Sequence, residues 1–337
     1  MSLDRRSQRI VIAGASSLLG NEVKTVLEES RFAGWDLRLV DEELVAGTLT
    51  QAGGEAALIQ GVEEDTFHGA RFAFLAGSKN FAGSCMRAAR EAGATIIDLS
   101  SASLSDPDGV PWFPKIEALT GKTVRKDAET FSVFSAAGTA IASLALALQG
   151  AGLKRLVGVV FQPVSEAGRG GIEELETQTS QLLSFQSVGD QVFGTQAAFN
   201  LLPRFGSESK QDLRSGLLRI RAEVSAALGD AEEDGKIGLN LIHAPVFYGA
   251  TFNAFADLEG GSEAATLIEA CRNAGFALVD AAEAAPSNVS VAGESGVFLR
   301  APEPDVAREG SWWFWGAADN LRLPASSAVK LAEKLEG

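Results

Sequence analysis

Short apolar runs rich in β-branched residues alternate with segments of helical period through the first third of the chain. Residues 9–13 (RIVIA) predict a buried strand, followed by a glycine turn and a helix over 21–29 whose Val23, Val26 and Leu27 share one face. Further strands are predicted at 37–40, at 71–75 and at 95–99 (TIIDL), with a helix over 81–92 between the last two. Strands alternating with helices predict an α/β domain, built on a mainly parallel sheet with right-handed crossovers, over residues 1–130. Its glycine turns and serines then gather at the carboxyl edge of the sheet, where such folds bind ligands.

The stretch 130–148 (TFSVFSAAGTAIASLALAL) reads as a strand over 131–134, a small-residue turn over 135–140 and a helix over 141–148. That helix carries no charge on any face and must be buried. A tight strand-to-helix turn is a place to display a nucleophile beside a helix N-terminus that favours anions. This one offers Ser135 and Thr139 as hydroxyls and no cysteine. Beyond it the period changes. A long strand is expected over 156–164, a loop over 165–171, a helix over 172–183 with glutamates in its first turn, and an amphipathic helix over 209–228. Strands at 238–248, 251–258, near 288–300 and 312–317, with a helix at 263–274, suggest a second, largely antiparallel α+β domain over 131–317. Trp312, Trp313, Phe314 and Trp315 alternate across two faces of one strand, as core plus subunit interface would. A closing helix over 326–335 falls in a third segment, 318–337.

The length of 337 residues suits two cores. A net charge of −15 argues against nucleic acid or an anionic membrane as partner, and an anionic ligand would need a local basic pocket. Two cysteines, Cys85 and Cys271, sit in small-residue helical patterns and read as packed thiols. Two histidines and no CxxC or HExxH spacing leave no metal motif. Arg5 and Arg6 precede an alternating strand instead of a signal-peptide apolar region, and no run reaches membrane-spanning length, which reads as cytoplasmic.

Candidate chemistry starts at the first turn. Gly14 and Gly20 stand where the outer glycines of a dinucleotide fingerprint would, with Ser16, Ser17, Leu18 and Leu19 between them. Ser17 occupies the middle glycine's place and would bring a side chain towards a pyrophosphate, weakening the site. Asp41, Glu42 and Glu43 follow the second strand. Such a carboxylate accepts from an adenine ribose and repels a 2′-phosphate, so NAD fits better than NADP, unless the loop is simply a solvated acidic one. Ala76, Gly77, Ser100 and Ser101 complete the edge.

Six strings in order then resemble the aspartate-semialdehyde dehydrogenase family: RIVIAGASSLLGNEV, IIDLSSA, FQPVSEAGRGGIEELETQ, AFNLLP, APVFYGA and GAADNLRLPASSAV. The resemblance implies a Rossmann-like NADP-binding domain, a catalytic and dimerisation domain, and a last helix returning to the first domain. It also implies reduction of a phosphorylated aspartate through a cysteine thioester, and places Asn320 near the nicotinamide. The departures gather at the reactive positions. The family's nucleophilic cysteine falls on Gly138, the glutamine after it on Ala142, and the catalytic histidine on Ala250. The arginine heading that last motif becomes His243, and an anion-binding arginine is missing after Ser100-Ser101-Ala102. The family's serine and arginine near the cofactor phosphate become Asp41 and Glu43. The substrate arginine falls on Arg219 or Arg221. The reading that follows is a homodimer resembling the family's non-catalytic paralogues, with weak or vestigial NAD binding. The alternative is an NAD(P)-dependent oxidoreductase without a thioester, with His243 or Tyr248 as proton donor; the opposing reading of both is packing on a buried strand.

Overall fold

The run Ile10–Val11–Ile12–Ala13 is fully buried, as an unbroken apolar strand in a parallel sheet covered on both faces should be. In the computed structural model, which describes residues 8–43, 45–52, 54–229, 235–260, 262–280 and 282–337, this is β1 (Arg9–Ala13). Arg5 and Arg6 lie outside the described residues. After β1 come α1 (Leu18–Glu28), β2 (Asp36–Val40), a hairpin of β3 (Leu49–Ala52) and β4 (Glu55–Leu58), and β5 (Phe72–Leu75). Next follow α2 (Lys79–Glu91), β6 (Thr95–Asp98), β7 (Val110–Trp112), the short α3 (Ile116–Thr120) and β8 (Thr130–Val133).

The remaining elements are α4 (Ala136–Gln149), β9 (Leu153–Gln162), a 3₁₀ turn (Val164–Ala167), α5 (Gly168–Leu183) and α6 (Leu213–Leu228). Then come β10 (Ile237–His243), β11 (Ala250–Leu258), α7 (Ala264–Asn273), β12 (Phe276–Val279), β13 (Val297–Arg300), β14 (Glu303–Pro304), β15 (Ser311–Ala318) and α8 (Arg322–Glu336). No helix among the described residues is long and apolar enough to cross a membrane.

The chain forms two compact units. The first holds the residues up to Phe113, Thr123–Phe134 and Pro324–Gly337; the second holds Pro114–Lys122 and Ser135–Leu323. The first unit is a six-stranded sheet in the order β2-β1-β5-β6-β8-β7, parallel at every pairing. Its crossover connections bring the ends of β1, β2, β5 and β6 to one edge, as the alternating pattern requires. Within this unit α8 is held by the Trp112 indole, which donates to the Ser327 carbonyl at 2.9 Å, and by an Arg71–Glu336 ion pair.

The second unit is a mixed sheet, β10-β9-β11-β15-β13-β12, with β14 beside β15. β9, β11, β15 and β13 pair antiparallel, while the two edge pairings are parallel. The tryptophan alternation holds: Trp312 and Phe314 are buried, while Trp313 is half exposed and lies 4.9 Å from Phe255.

Three expectations fail locally. The loop foreseen at 165–171 is a 3₁₀ turn running into α5, so the helix starts at Gly168 and its glutamates fall beyond the first turn. The strand foreseen at 238–248 stops at His243, and that near 288–300 contracts to β13.

α5 carries Glu174 and Gln178 inward. Gln178 is completely buried; its carbonyl oxygen accepts from the N–H groups of Ala197 and Ala198 (2.8 and 3.0 Å). Its amide donates to the carbonyls of Gly189 and Thr195. Glu174 accepts from the N–H groups of Val192 and Phe193. These two side chains stand in for secondary structure along the segment 189–198, in which the N–H groups of the buried Phe193, Ala197 and Ala198 need an acceptor. Replacing Gln178 by Leu removes the partner of the four backbone groups that Gln178 pairs, so urea unfolding should show a loss of about 3 kcal/mol.

Candidate active site

The site begins where α4 does. Residues 135–140, expected as a turn, are instead the cap and first turn of α4, because Ser135 takes the extended N-cap conformation and its Oγ accepts from Gly138 N–H at 3.0 Å. Small residues with a serine cap read equally as turn or helix start; burial of the whole helix decides for helix. Since α4 is apolar all round, its N-terminal N–H groups cannot turn to water. Glu223 of α6, 1 % exposed, holds the cap residue in place: its Oε1 accepts from Ser135 N–H at 2.9 Å and its Oε2 from Ser135 Oγ at 2.5 Å. Arg219, one turn earlier on α6, donates its Nε to Glu223 Oε1 at 2.9 Å and balances the buried charge. A Cβ placed on Gly138 would overlap Glu223 Oε2 and approach its carboxyl carbon to 2.8 Å.

Beside this cluster lies a cavity of about 40 Å³ in the second unit. Its polar wall is Ser135, Gln162, Glu166 and Arg219, and Ala250 closes another side. Of the two arginines expected as candidates, Arg219 faces the cavity while Arg221 is exposed. Glu166 keeps solvent-accessible surface, yet the protein crowding around it raises its carboxyl pKa. The neighbouring Glu223 charge adds to this, and Arg219 and the Asn320 amide oppose it. Asn320 is buried and its side chain is used within the unit. It donates to Glu166 Oε1 (3.0 Å) and Ser165 Oγ (3.1 Å) and accepts from Gly249 N–H (2.9 Å).

In the first unit the two glycine turns touch. Gly14 has φ +87° and a Cβ there would overlap the backbone of Gly77, while one on Gly20 would overlap the Gly14 carbonyl. Ser17 does not point outward as expected. Its Oγ donates to the Ala76 carbonyl and accepts from Gly20 N–H, both at 2.8 Å, so the side chain caps α1 and ties the two turns together. Leu18 and Leu19 open α1 behind that cap. Asp41 is buried and turned back on the same turn; it accepts from Ser16 N–H at 2.7 Å and from Glu42 N–H at 2.9 Å. Glu42 accepts from the Ser78 hydroxyl, an acidic contact that sequence reasoning did not single out. At the end of β6 the buried Asp98 accepts from the N–H and hydroxyl of both Ser100 and Ser103, which fixes Ser101 at φ +66°. The backbone of this edge is shaped to approach a dinucleotide closely, with the α1 N-terminus available to a pyrophosphate.

The alternative reactive groups lie elsewhere. His243 is buried between the rings of Phe193 (5.3 Å) and Phe205 (5.4 Å), with no hydrogen-bond partner for Nε2. Tyr248 is 39 % exposed, and neither residue lines the cavity. Both cysteines are buried; burial pushes Cys85 up to about 11, with Asp41 adding, and Cys271 up to about 12. Neither is a thiolate near neutral pH.

Burial pushes His243 below its ordinary value against the opposing hydrogen bond to Ala197, so the folded state binds the proton less readily than the unfolded chain. Its contribution to stability is complete above about pH 6.5 and is lost as pH falls through the lowered folded value. Chemical denaturation followed from about pH 7 to 5 should show this slope, and His243→Phe, which keeps the aromatic packing, should flatten it.

Comparison with known proteins follows the same division. Residues 9–123 match the semialdehyde dehydrogenase NAD binding domain, and residues 130–323 match the semialdehyde dehydrogenase dimerisation domain. The chain is 29 % identical over 334 residues to a USG-1 protein homolog of Azotobacter vinelandii, covering 97 % of each. It is 25 % identical over 338 residues to the aspartate-semialdehyde dehydrogenase of Rickettsia bellii, covering 98 % of each. A solved probable aspartate-semialdehyde dehydrogenase of Pseudomonas aeruginosa superposes with a TM-score of 0.85 at 24 % identity, over 97 % of this chain and 98 % of that one. Aspartate-semialdehyde dehydrogenase II of Vibrio cholerae gives 0.82 at 24 % identity over the same shares. With both of its domains matched in order, the chain belongs to the semialdehyde dehydrogenase family.

Proposed function

We propose that this chain is a homodimeric member of the family that does not carry out the thioester-forming reduction. The observation that supports this reading is the position of Glu223. A cysteine at residue 138 would need to place its Cβ on that carboxylate, which is held by two hydrogen bonds from Ser135 and one from Arg219. Ala250 presents a methyl to the cavity at the position where the family resemblance places a base. Removing the nucleophile of a catalytic unit typically costs on the order of a millionfold in turnover. The oxidoreductase alternative, with His243 or Tyr248 as proton donor, has neither group on the cavity wall and is not carried further.

Dimerisation through the second unit accords with its exposed apolar surface. Leu183, Phe185, Phe199 and Leu201 are each at least 60 % exposed, and Phe185 and Phe199 also hold left-handed backbone at φ +57°. A dinucleotide would supply hydride chemistry. Here it would lie against the Gly14–Gly20 turn with Asp41 near its ribose, weakly, and a 2′-phosphate would meet the acidic run Asp41, Glu42 and Glu43.

Purified protein given aspartate semialdehyde, phosphate and NADP or NAD should show no turnover above a protein-free blank; clear turnover would end this reading. Calorimetric titration should find NADP no tighter than NAD, and a submicromolar NADP affinity would contradict the role given to Asp41. Gly138→Cys should restore no activity and should lower the unfolding midpoint, because the new side chain displaces Glu223.

A further inference from the structure

The wall of the cavity beside α4 carries a hydroxyl, that of Ser135. Ser135 Oγ donates a hydrogen bond to Glu223 Oε2 at 2.5 Å and accepts one from Gly138 N–H. A serine hydroxyl has two lone pairs, so one remains, and Ser135 is on the cavity wall. Three further features of that wall suit acyl transfer. The cavity opens at the positive end of α4 and has the Arg219 guanidinium on its wall, two features that favour negative charge on an acyl oxygen. Glu166 supplies a second carboxyl on the same wall, held by Asn320. The free volume, about 40 Å³, has room for about two or three waters and so admits only a short acyl group.

We infer that Ser135 is an acyl-accepting nucleophile, with Glu223 as its base, for short-chain activated esters. The hydroxyl proton passes to Glu223 as Oγ attacks the acyl carbon. The bond to the leaving group then breaks, and that group departs with a proton from Glu166, giving O-acyl-Ser135 and the free alcohol or phenol. Water carries the proton from Glu223 to Glu166, restoring both carboxyls; a second water then attacks the acyl carbon and gives a proton to Glu223, the bond from the acyl carbon to Oγ breaks, and that proton passes to Oγ, which releases the acid and regenerates Ser135. No redox partner is involved. The two carboxyls are placed for opposite roles: Glu223 accepts the hydrogen bond of the Ser135 hydroxyl, while crowding raises the Glu166 carboxyl and favours its protonated form.

This inference uses the same cavity as the reading above but survives or fails separately from it. Full-length protein would be mixed with p-nitrophenyl acetate near neutral pH, with release of p-nitrophenol followed by absorbance and the acetyl group located by peptide mass spectrometry. The expected result is a release burst of about one equivalent per chain, with acetyl on the peptide containing Ser135, absent when the protein is first unfolded in urea. Ser135→Asn, which keeps the cap acceptor, should abolish the label, and Glu223→Gln should slow the burst by about a hundredfold or more. If native protein carries no acetyl on Ser135, or only on lysines, or equally in the urea-unfolded state, the inference is wrong. The wild-type measurements decide this even if a variant does not fold. Turnover of aspartate semialdehyde would refute the previous reading and leave this one standing.

Discussion

A helix with no polar face has to leave the N–H groups of its first turn inside the protein, and α4 is such a helix. Residues from Ala136 through Leu146 are almost without exception buried. Its start is therefore a buried positive pole that something must neutralise. The chain answers with a side chain from another helix: Glu223 reaches Ser135, and Arg219 balances the charge Glu223 brings in. A buried charge pair contributes little net stability in itself, but removing one partner leaves the other stranded. The arrangement is consequently all or nothing, and it fixes α4 against α6, the cavity between them, and the identity of what can stand at residue 138.

The first unit handles the same difficulty by different means. Ser17 and Ser78 cap α1 and α2 in turn, and Asp98 gathers four donors from a single loop. Asp41 folds back on Ser16, so a carboxylate at the end of β2 stabilises the turn whether or not a ribose is present. Contacts between glycine backbones leave these turns little freedom, which keeps the cradle in shape independently of any ligand.

Much of this was readable in the residues. The parallel sheet follows from apolar runs such as RIVIA and TIID, and the second sheet from long alternating strands such as β11, whose burial alternates residue by residue. What periodicity could not give were the element starts at Ser135 and Gly168, where small residues are compatible with turn and helix alike. Glu223 left a legible trace that went unread: it stands in the apolar stripe of α6 with Ile220, Val224 and Ala227, and a charge in such a stripe needs a partner. The same helical phase separates Arg219 from Arg221. Glu166 left none, since an acidic residue before Ala-Gly-Arg-Gly-Gly looks like any solvated turn, and only the fold brings it to Asn320 and Arg219.

The overlap between residue 138 and Glu223 also couples the two positions. As long as residue 138 is glycine, Glu223 can settle against the backbone, uncrowded; once settled, it is needed there by Ser135 and Arg219. Any single substitution that placed a side chain at 138 would pass through a molecule with a dislodged anion, and shortening residue 223 first would remove the carboxylate that Ser135 and Arg219 hold. Neither one-step change is smooth, so residues 138 and 223 are tied together: a side chain enters the turn only if the carboxylate opposite it leaves in the same move.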